Sequence, residues 1–547
     1  MSIEQQTELG WSQRYLWLCH STLPPRARRE YNISLRWEPP VGSTVDSVTA
    51  TLDHLVRRHD NLRTTYHEGT GDGPVQRVHP PRPFTAQRFE TDDHPGEPPA
   101  GVVAEVTAAE FDLARDWPIR ALLVSTGSVP KLLLIVVHHT AMDDWSIKRF
   151  HHELEAAHSS IIAGQPVDLP PVRVRPADLV AHERSPQGRQ ANARALKHWD
   201  RELASIAGEV FVHRREPDED EPVAYGASLS SPGVIPAVRK LAGRYRVWPN
   251  LVYTAAFAAL LSACSGSAGV FFRTYAANRD SAEQSELMTS MSQPVLVNMP
   301  LNAGMPFAEV VEAAATRTKQ ALQYSHCAYD EAMELLAKRG FQRETSLRPG
   351  VFYNYLSYAP ATIGVRRTRF SWTEPPAEWA SQGDDAYFRV YEYRDAAVMA
   401  ISSQAAVGSR DHVEKFMRGF ERFLLEQAES GEELTIAQIA THLDLHPIPP
   451  LSRRPAPAAT EHQVRTLVDA VRDANKLSSV DSEGSYVTAG GRLLNAPLLR
   501  QVLHDRGWTG LELSHVTGIG SLREVAANLR PLTERKEEDR AHHLGTP

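Results

Sequence analysis

The sequence predicts a mixed α/β body followed by a small all-α unit, and three stretches carry that reading. Residues 131–137, KLLLIVV, are short, continuously apolar and rich in branched side chains, which suits a strand buried on both faces. Residues 43–59 instead repeat apolar side chains at helical spacing. Residues 447–460 read PIPPLSRRPAPAAT, with five prolines in fourteen residues, and helical periodicity starts afresh beyond them. At 547 residues the chain also exceeds what one hydrophobic core organises, so several folding units are expected.

In the first helix Val45, Val48, Leu52, Leu55 and Val56 share a face behind Ser43 or Thr44 as the cap. A second helical pattern, Ile147, Phe150, Leu154, Ala157 and Ile161, runs from Ser146 to Ile162. The intervening HHTAMDDWS therefore forms a strand–loop–helix corner. The acidic RREPDEDEP of 214–222 has almost nothing to bury and reads as a solvated loop. From Val238 to Leu261 an apolar helical pattern returns, split by Pro249 into a short helix and a longer, more buried one. Residues 270–275 read as a strand that leads to a polar stretch with Asn278 and Arg279. After the 447–460 linker, Val464, Leu467, Val468 and Val471, then Leu498, Leu499, Val502 and Leu503, set helical faces within 461–530, and 531–547 read as a frayed, disordered tail.

Composition removes several functions. Hydrophobic residues are 42% and charged residues 23%, and no run approaches the roughly 18 apolar residues of a membrane span. The start, MSIEQQTELGW, has early acids and no apolar segment, so a secretory signal is not expected and a cytoplasmic protein is. Cys19, Cys264 and Cys327 form no paired spacing, which argues against a disulfide framework or a thiolate metal site. A net charge of -8 gives no cationic field for nucleic acid.

The chemistry-bearing residues are His138 and His139, followed by Asp143, Trp145 and Ser146. Zinc is a competing reading of two adjacent histidines, but their potential partners lack a zinc spacing, so no metal is expected. His151 and His152 on the following helix read as a solvated face. The run from His138 matches HHxxxDG, the motif of condensation domains of non-ribosomal peptide synthetases. Five further stretches resemble that family in order: Leu9, Ser12, Gln13, Trp17, Tyr31 and Asn32 at the start; RRHDNLRTTY at 57–66; Tyr275–Asn278 with Arg279; Val297 and Asn298; and His326–Glu331. The resemblance spans about residues 8–430. It implies two chloramphenicol-acetyltransferase-like lobes of α+β two-layer build, 1–175 and 176–446, in a V-shaped arrangement with a tunnel between them.

The resemblance further implies amide formation between a carrier-bound acyl or aminoacyl thioester and an amine. Peptidyl or acyl carrier proteins are then the partners, phosphopantetheine arrives on them, and no cofactor is covalently bound to this chain. The amine, carrier-bound or free, must attack as the neutral base and pass through a tetrahedral intermediate. An imidazole with a reference pKa of about 6.5 suits the proton transfer. His139, the second motif histidine, is assigned to it as general base or as a group that positions the amine; His138 shapes the loop. Asp143 and Arg279 are implied as a structural pair joining the lobes, with Arg63 a third structural residue at the site. Asp144, Trp145, Ser146 and Asn298 are implied as tunnel-lining.

Two departures stand out. Asp144 occupies the position usually held by glycine, adding bulk and charge beside the tunnel, so either the acceptor is unusual, for instance cationic, or catalysis is weakened. At the C-terminus YVTAGGRLL, 486–494, resembles the FFxLGGHSL motif of peptidyl carrier proteins. Aligning Gly490 and Gly491 puts Leu493 where carriers have the serine that receives phosphopantetheine, so this unit reads as a carrier-like domain that cannot be loaded. Pro497 suggests a helix that starts late, with Asn495 as its cap. An unrelated helical bundle is the alternative for 461–530. For the whole chain the alternatives are a non-catalytic recruitment protein, or an acyltransferase that uses coenzyme A thioesters or forms an ester.

Overall fold

The computed structural model describes residues 3–69, 73–91, 98–218, 220–358, 361–375, 383–447 and 458–532. Most of the 447–460 linker, Glu219 of the acidic loop and the tail from 533 lie outside them.

The first half of the body is built on a four-stranded sheet of β1 (Asn32–Trp37), β2 (Gln87–Glu90), β3 (Ile119–Thr126) and β4 (Val129–His138), ordered β1-β4-β3-β2. Both neighbours of β4 run antiparallel to it. The apolar run is buried on both faces, as its sequence predicts. Leu133, Ile135 and Val137 pack with Val48, Leu52 and Phe150, while Leu132, Leu134 and Val136 belong to a separate apolar cluster on the other face. The helices on the first face are α2 (Val45–Arg58) and α3 (Asp144–Ile162), preceded in the chain by α1 (Trp11–Thr22). Thr44 caps α2, its hydroxyl accepting from the Ser47 N–H.

The second half holds a mixed seven-stranded sheet. Its strands are β5 (Ala224–Ser231), β6 (Gly269–Ala276), β7 (Gln293–Pro300), β8 (Val351–Ser357), β9 (Arg369–Thr373), β10 (Ala386–Glu392) and β11 (Ala397–Gln404), ordered β7-β6-β8-β10-β11-β5-β9. Pro249 does divide the long apolar pattern: α5 (Val234–Tyr245) and α6 (Pro249–Ser265) meet at 97°, with α4 (Pro186–Ser205) preceding them. Residues 252–263 of α6 are all buried, so its uniform apolarity belongs to a core helix. Among the described residues no single helix is long and apolar enough to cross a membrane. The described residues of the acidic segment, 214–218 and 220–222, are irregular as expected, but its two arginines are pinned. Arg214 reaches Asp385 at 2.8 Å, and Arg215 pairs with Glu221.

The C-terminal unit carries α8 (Glu461–Asn475), α9 (Ala496–Asp505) and two short helices, Leu513–Thr517 and Leu522–Ala526. It is not purely helical: Trp508–Thr509 pairs antiparallel with Arg530–Pro531. Asn495 stands at the N-cap of α9, but its side chain makes no cap. Its amide instead donates to Asn475 Oδ1 at 3.0 Å, because the preceding short turn at Leu493–Asn495 already leads into the helix. Gly490 adopts a φ of +98°, and a Cβ on Gly491 would lie 2.5 Å from the buried Tyr486 ring. The paired glycines thus answer a backbone demand. Gly491→Ala is expected to destabilise this unit by about 1–3 kcal/mol, an overpacking cost, read as an earlier melting transition while the body's transition stays in place; coincident unaltered transitions would refute it.

Candidate active site

The site is built where β4 ends. Val137 pairs with Ile33, His138 is the last strand residue, and the His139 N–H donates to the Tyr31 carbonyl at 2.7 Å. The chain then turns, and the turn is held from outside: Asn61 donates to the Ala141 carbonyl at 2.9 Å. This explains what the RRHDNLRTTY segment does. Arg63 works one step further away, donating to Asp60 Oδ1 at 2.6 Å and to Glu4 Oε2 at 3.1 Å. It braces that segment and does not reach either histidine.

The two histidines have different surroundings. His138 is fully buried. The Thr140 N–H donates to its Nδ1 at 3.2 Å, so Nδ1 is the unprotonated nitrogen and Nε2–H faces His20 Nδ1 at 3.0 Å. Burial pushes the His138 ring well below the usual imidazole range, and pushes His20, also near Arg28, down to about 3. His138 is therefore a neutral structural ring. His139 is half-buried, and its Nδ1 is buried with no hydrogen-bond partner. Of the two, His139 is the ring left with an unpartnered nitrogen.

Asp143 begins α3 and ties three segments together. Its Oδ1 accepts from the Ser146 N–H at 2.9 Å, closing the N-cap. Its Oδ2 accepts from the Met291 and Ser292 N–H groups at 2.8 and 3.1 Å. Arg279 Nη2 lies 3.1 and 3.0 Å from the two oxygens, and both side chains are 2% exposed. Arg279 also donates to the carbonyls of Gln284, Leu287 and Thr289 at 2.7–2.8 Å. Asn278, in the left-handed region at φ +53°, adds bonds to the Met291 carbonyl and to Gln293 Oε1, both at 3.0 Å. The segment 287–293 is thereby strapped across the corner.

Four residues expected to line a tunnel have other partners. Ser146 is fully buried and its hydroxyl donates to the Thr289 carbonyl at 2.7 Å, so it belongs to the strap. Asn298 is 8% exposed on β7 and donates to Glu202 Oε2 and Ser205 Oγ, at 3.1 and 2.8 Å, on α4. Trp145 is exposed and donates to the Ser285 carbonyl at 3.2 Å. Asp144 takes an ordinary helical conformation in the first turn of α3, where no glycine is demanded, and pairs with Lys148 at 2.7 Å. A carboxylate there complements the helix N-terminus.

A cavity of about 470 Å³ lies between the first part of the body, the second and the C-terminal unit. Its walls include Tyr15, Cys19 and Tyr31 from the first, and Arg273, Tyr329 and Asp384 from the second. Arg273 pairs with Asp384 and lies 3.6 Å from the Phe352 ring centre. His139 is not itself among the lining residues; Tyr31, the acceptor of its N–H, links them. Sequence reasoning missed His20, Tyr15 and Cys19. Their helical spacing from Ser12, Leu16 and Trp17 is the one signal that could have placed them on the inner side of α1. Among the described residues no group of three or more His, Cys, Asp or Glu side chains could hold a metal ion.

Two predictions follow from these contacts. Asp143→Ala or Arg279→Ala leaves its buried partner uncompensated, a loss of about 3–5 kcal/mol, and is expected to give mostly insoluble protein on expression; soluble, normally melting variants would refute the assignment. His20 gives a pH dependence. Its folded pKa is depressed, so the unfolded chain binds the proton first; stability is full above roughly pH 6.5 and falls as pH drops toward the folded value. From pH 7 to pH 5 this ring alone removes about 2 kcal/mol. Urea denaturation at the two pH values checks it, with His20→Gln expected to flatten the difference and an unchanged slope telling against it.

The condensation-domain family model matches residues 3–434. Phosphinothricin tripeptide synthetase of Streptomyces viridochromogenes is 27% identical over 323 residues, 57% of this chain and 29% of the synthetase. Chondramide synthase of Chondromyces crocatus is 26% identical over 294 residues, 52% of this chain and 7% of that enzyme. The chain thus spans a minor part of these relatives. Among solved structures, the condensation domain of the monacolin K polyketide synthase superposes with a TM-score of 0.63 at 15% identity, covering 80% of this chain and all of that one. The X-domain from teicoplanin biosynthesis gives 0.61 at 22% identity, covering 80% and 98%. With the family model covering most of its length, this chain belongs to the condensation-domain family.

Proposed function

We propose that this chain forms an amide in natural-product biosynthesis, joining an acyl or aminoacyl thioester carried on a partner's phosphopantetheine arm to an amine. Residues 1–175 and 176–446 act as the two lobes, and residues 461–530 as a carrier-like unit without a loading site. The observation that carries the chemistry is the contrast at the corner: His138 is kept neutral by burial and has both ring nitrogens partnered, by Thr140 and His20, while His139 keeps an unpartnered ring nitrogen.

The amine nitrogen attacks the thioester carbonyl carbon, forming the C–N bond and an oxyanion. The ammonium proton passes to the His139 imidazole. Collapse of the intermediate breaks the C–S bond, and the departing thiolate receives that proton. Amide and free thiol result, with no covalent enzyme intermediate. Holding both reactants at one corner supplies a large share of the rate. Asp143 and Arg279 act through position: both carboxylate oxygens and both Nη groups serve α3, the strap and each other.

A recruitment role without chemistry is the second reading, favoured by Leu493 at the carrier-like loading position. The two separate on one comparison. His139→Ala is expected to fold as the unaltered chain does and to lose about 10²–10⁴-fold in product formation from a carrier-bound acyl thioester and an amine, read by mass spectrometry. Equal product from the variant removes the catalytic assignment. Running acyl-coenzyme A beside the carrier-bound donor identifies which thioester is used.

A further inference from the structure

The C-terminal unit is seated on α1 from the first part of the body and on α7 (Tyr329–Gln342) from the second. Its contacts are specific. Arg492 Nε lies 3.1 Å from both carboxylate oxygens of Glu334 on α7, and the Leu493 N–H donates to the same group at 2.8 Å. Arg500 on α9 donates to the Thr22 carbonyl at the end of α1. Leu493 is fully buried and forms part of the cavity wall together with Tyr15, Cys19 and Tyr329. The residue at the carrier-like loading position thus borders the cavity, with an apolar side chain and no arm.

We infer that the C-terminal unit is a resident cover that excludes carrier-borne substrates from this face and reserves the cavity beneath it for a diffusible acceptor. The inference rests on the proposed amide-forming function and names the class of its second substrate. Two carriers cannot share one seat, so while the cover is docked a tethered donor enters elsewhere. The cavity has the size of a small-molecule site. Its Tyr15, Tyr31, Tyr329, Leu18, Met333 and Leu336 walls suit an apolar or aromatic body, beside the Arg273–Asp384 ion pair.

Cys19 is a built-in reporter, since it lines the cavity and is half-buried. Burial pushes its thiol up to about 11, so alkylation is run in alkaline buffer for long times. The probes are N-bromoacetyl pantetheine free in solution and the same bromoacetyl arm attached to a carrier protein, with Cys19→Ser assigning the labelled site by peptide mass. In the unaltered chain the free probe is expected to alkylate Cys19 and the carrier-borne probe to fail. Glu334→Arg, which faces Arg492 with a like charge, is expected to raise labelling by the carrier-borne probe at least about tenfold, the factor that corresponds to roughly 1.4 kcal/mol of lost seating. Adding Arg492→Glu to that variant is expected to lower it again.

Three results overturn the inference: carrier-borne and free probes labelling the unaltered chain at similar rates, the free probe failing to reach Cys19, or the carrier-borne probe labelling neither chain. The first two are read on the unaltered protein and do not depend on a variant folding. Failure of the amide-forming reading shows elsewhere, in product formation that ignores His139→Ala.

Discussion

The arrangement of this molecule depends on one buried carboxylate. Asp143 caps the helix that follows the histidines, holds the 287–293 strap by two backbone N–H groups and accepts from the Arg279 guanidinium. A charge this buried is tolerable only because each oxygen is met by several donors. The same requirement fixes geometry. Neither α3 nor the strap can shift without leaving a lone pair or the guanidinium unsatisfied, so the corner bearing His139 has one position relative to β6 and β7.

That rigidity contrasts with the treatment of the imidazoles. His138 and His20 are made structural by burial and by each other, which removes their basicity. His139 is one residue further on, past the strand end, where the alternation of β4 would point it to the opposite face from His138. The period-two alternation that makes Leu133, Ile135 and Val137 core residues on the α2–α3 side therefore also separates a sealed ring from a half-buried one.

How much of this was legible in the sequence depends on whether a residue's partners are local. β4, α2 and α3 follow from local apolar period, and Pro249 marks its helix break because a missing N–H acts within one turn. The Asp143–Arg279 pair spans the chain and was reachable through family resemblance alone. The resemblance implies Ser146 and Asn298 as tunnel-lining, whereas each satisfies a distant backbone or side-chain group, Thr289 in one case and Glu202 with Ser205 in the other. Asp144 was read as an intrusion because glycine implies a special backbone. The local conformation is an ordinary first helical turn, for which aspartate is suited.

The C-terminal unit follows the same logic of local and distant demands. Its glycines stand where the backbone needs them, Gly490 for a positive φ and Gly491 beneath Tyr486. Leu493 sets the energetics of the seat, since a fully buried leucine gains about 1.5–3 kcal/mol over an exposed one. That side chain favours staying docked, with Glu334 fixing the register through Arg492 and the Leu493 N–H.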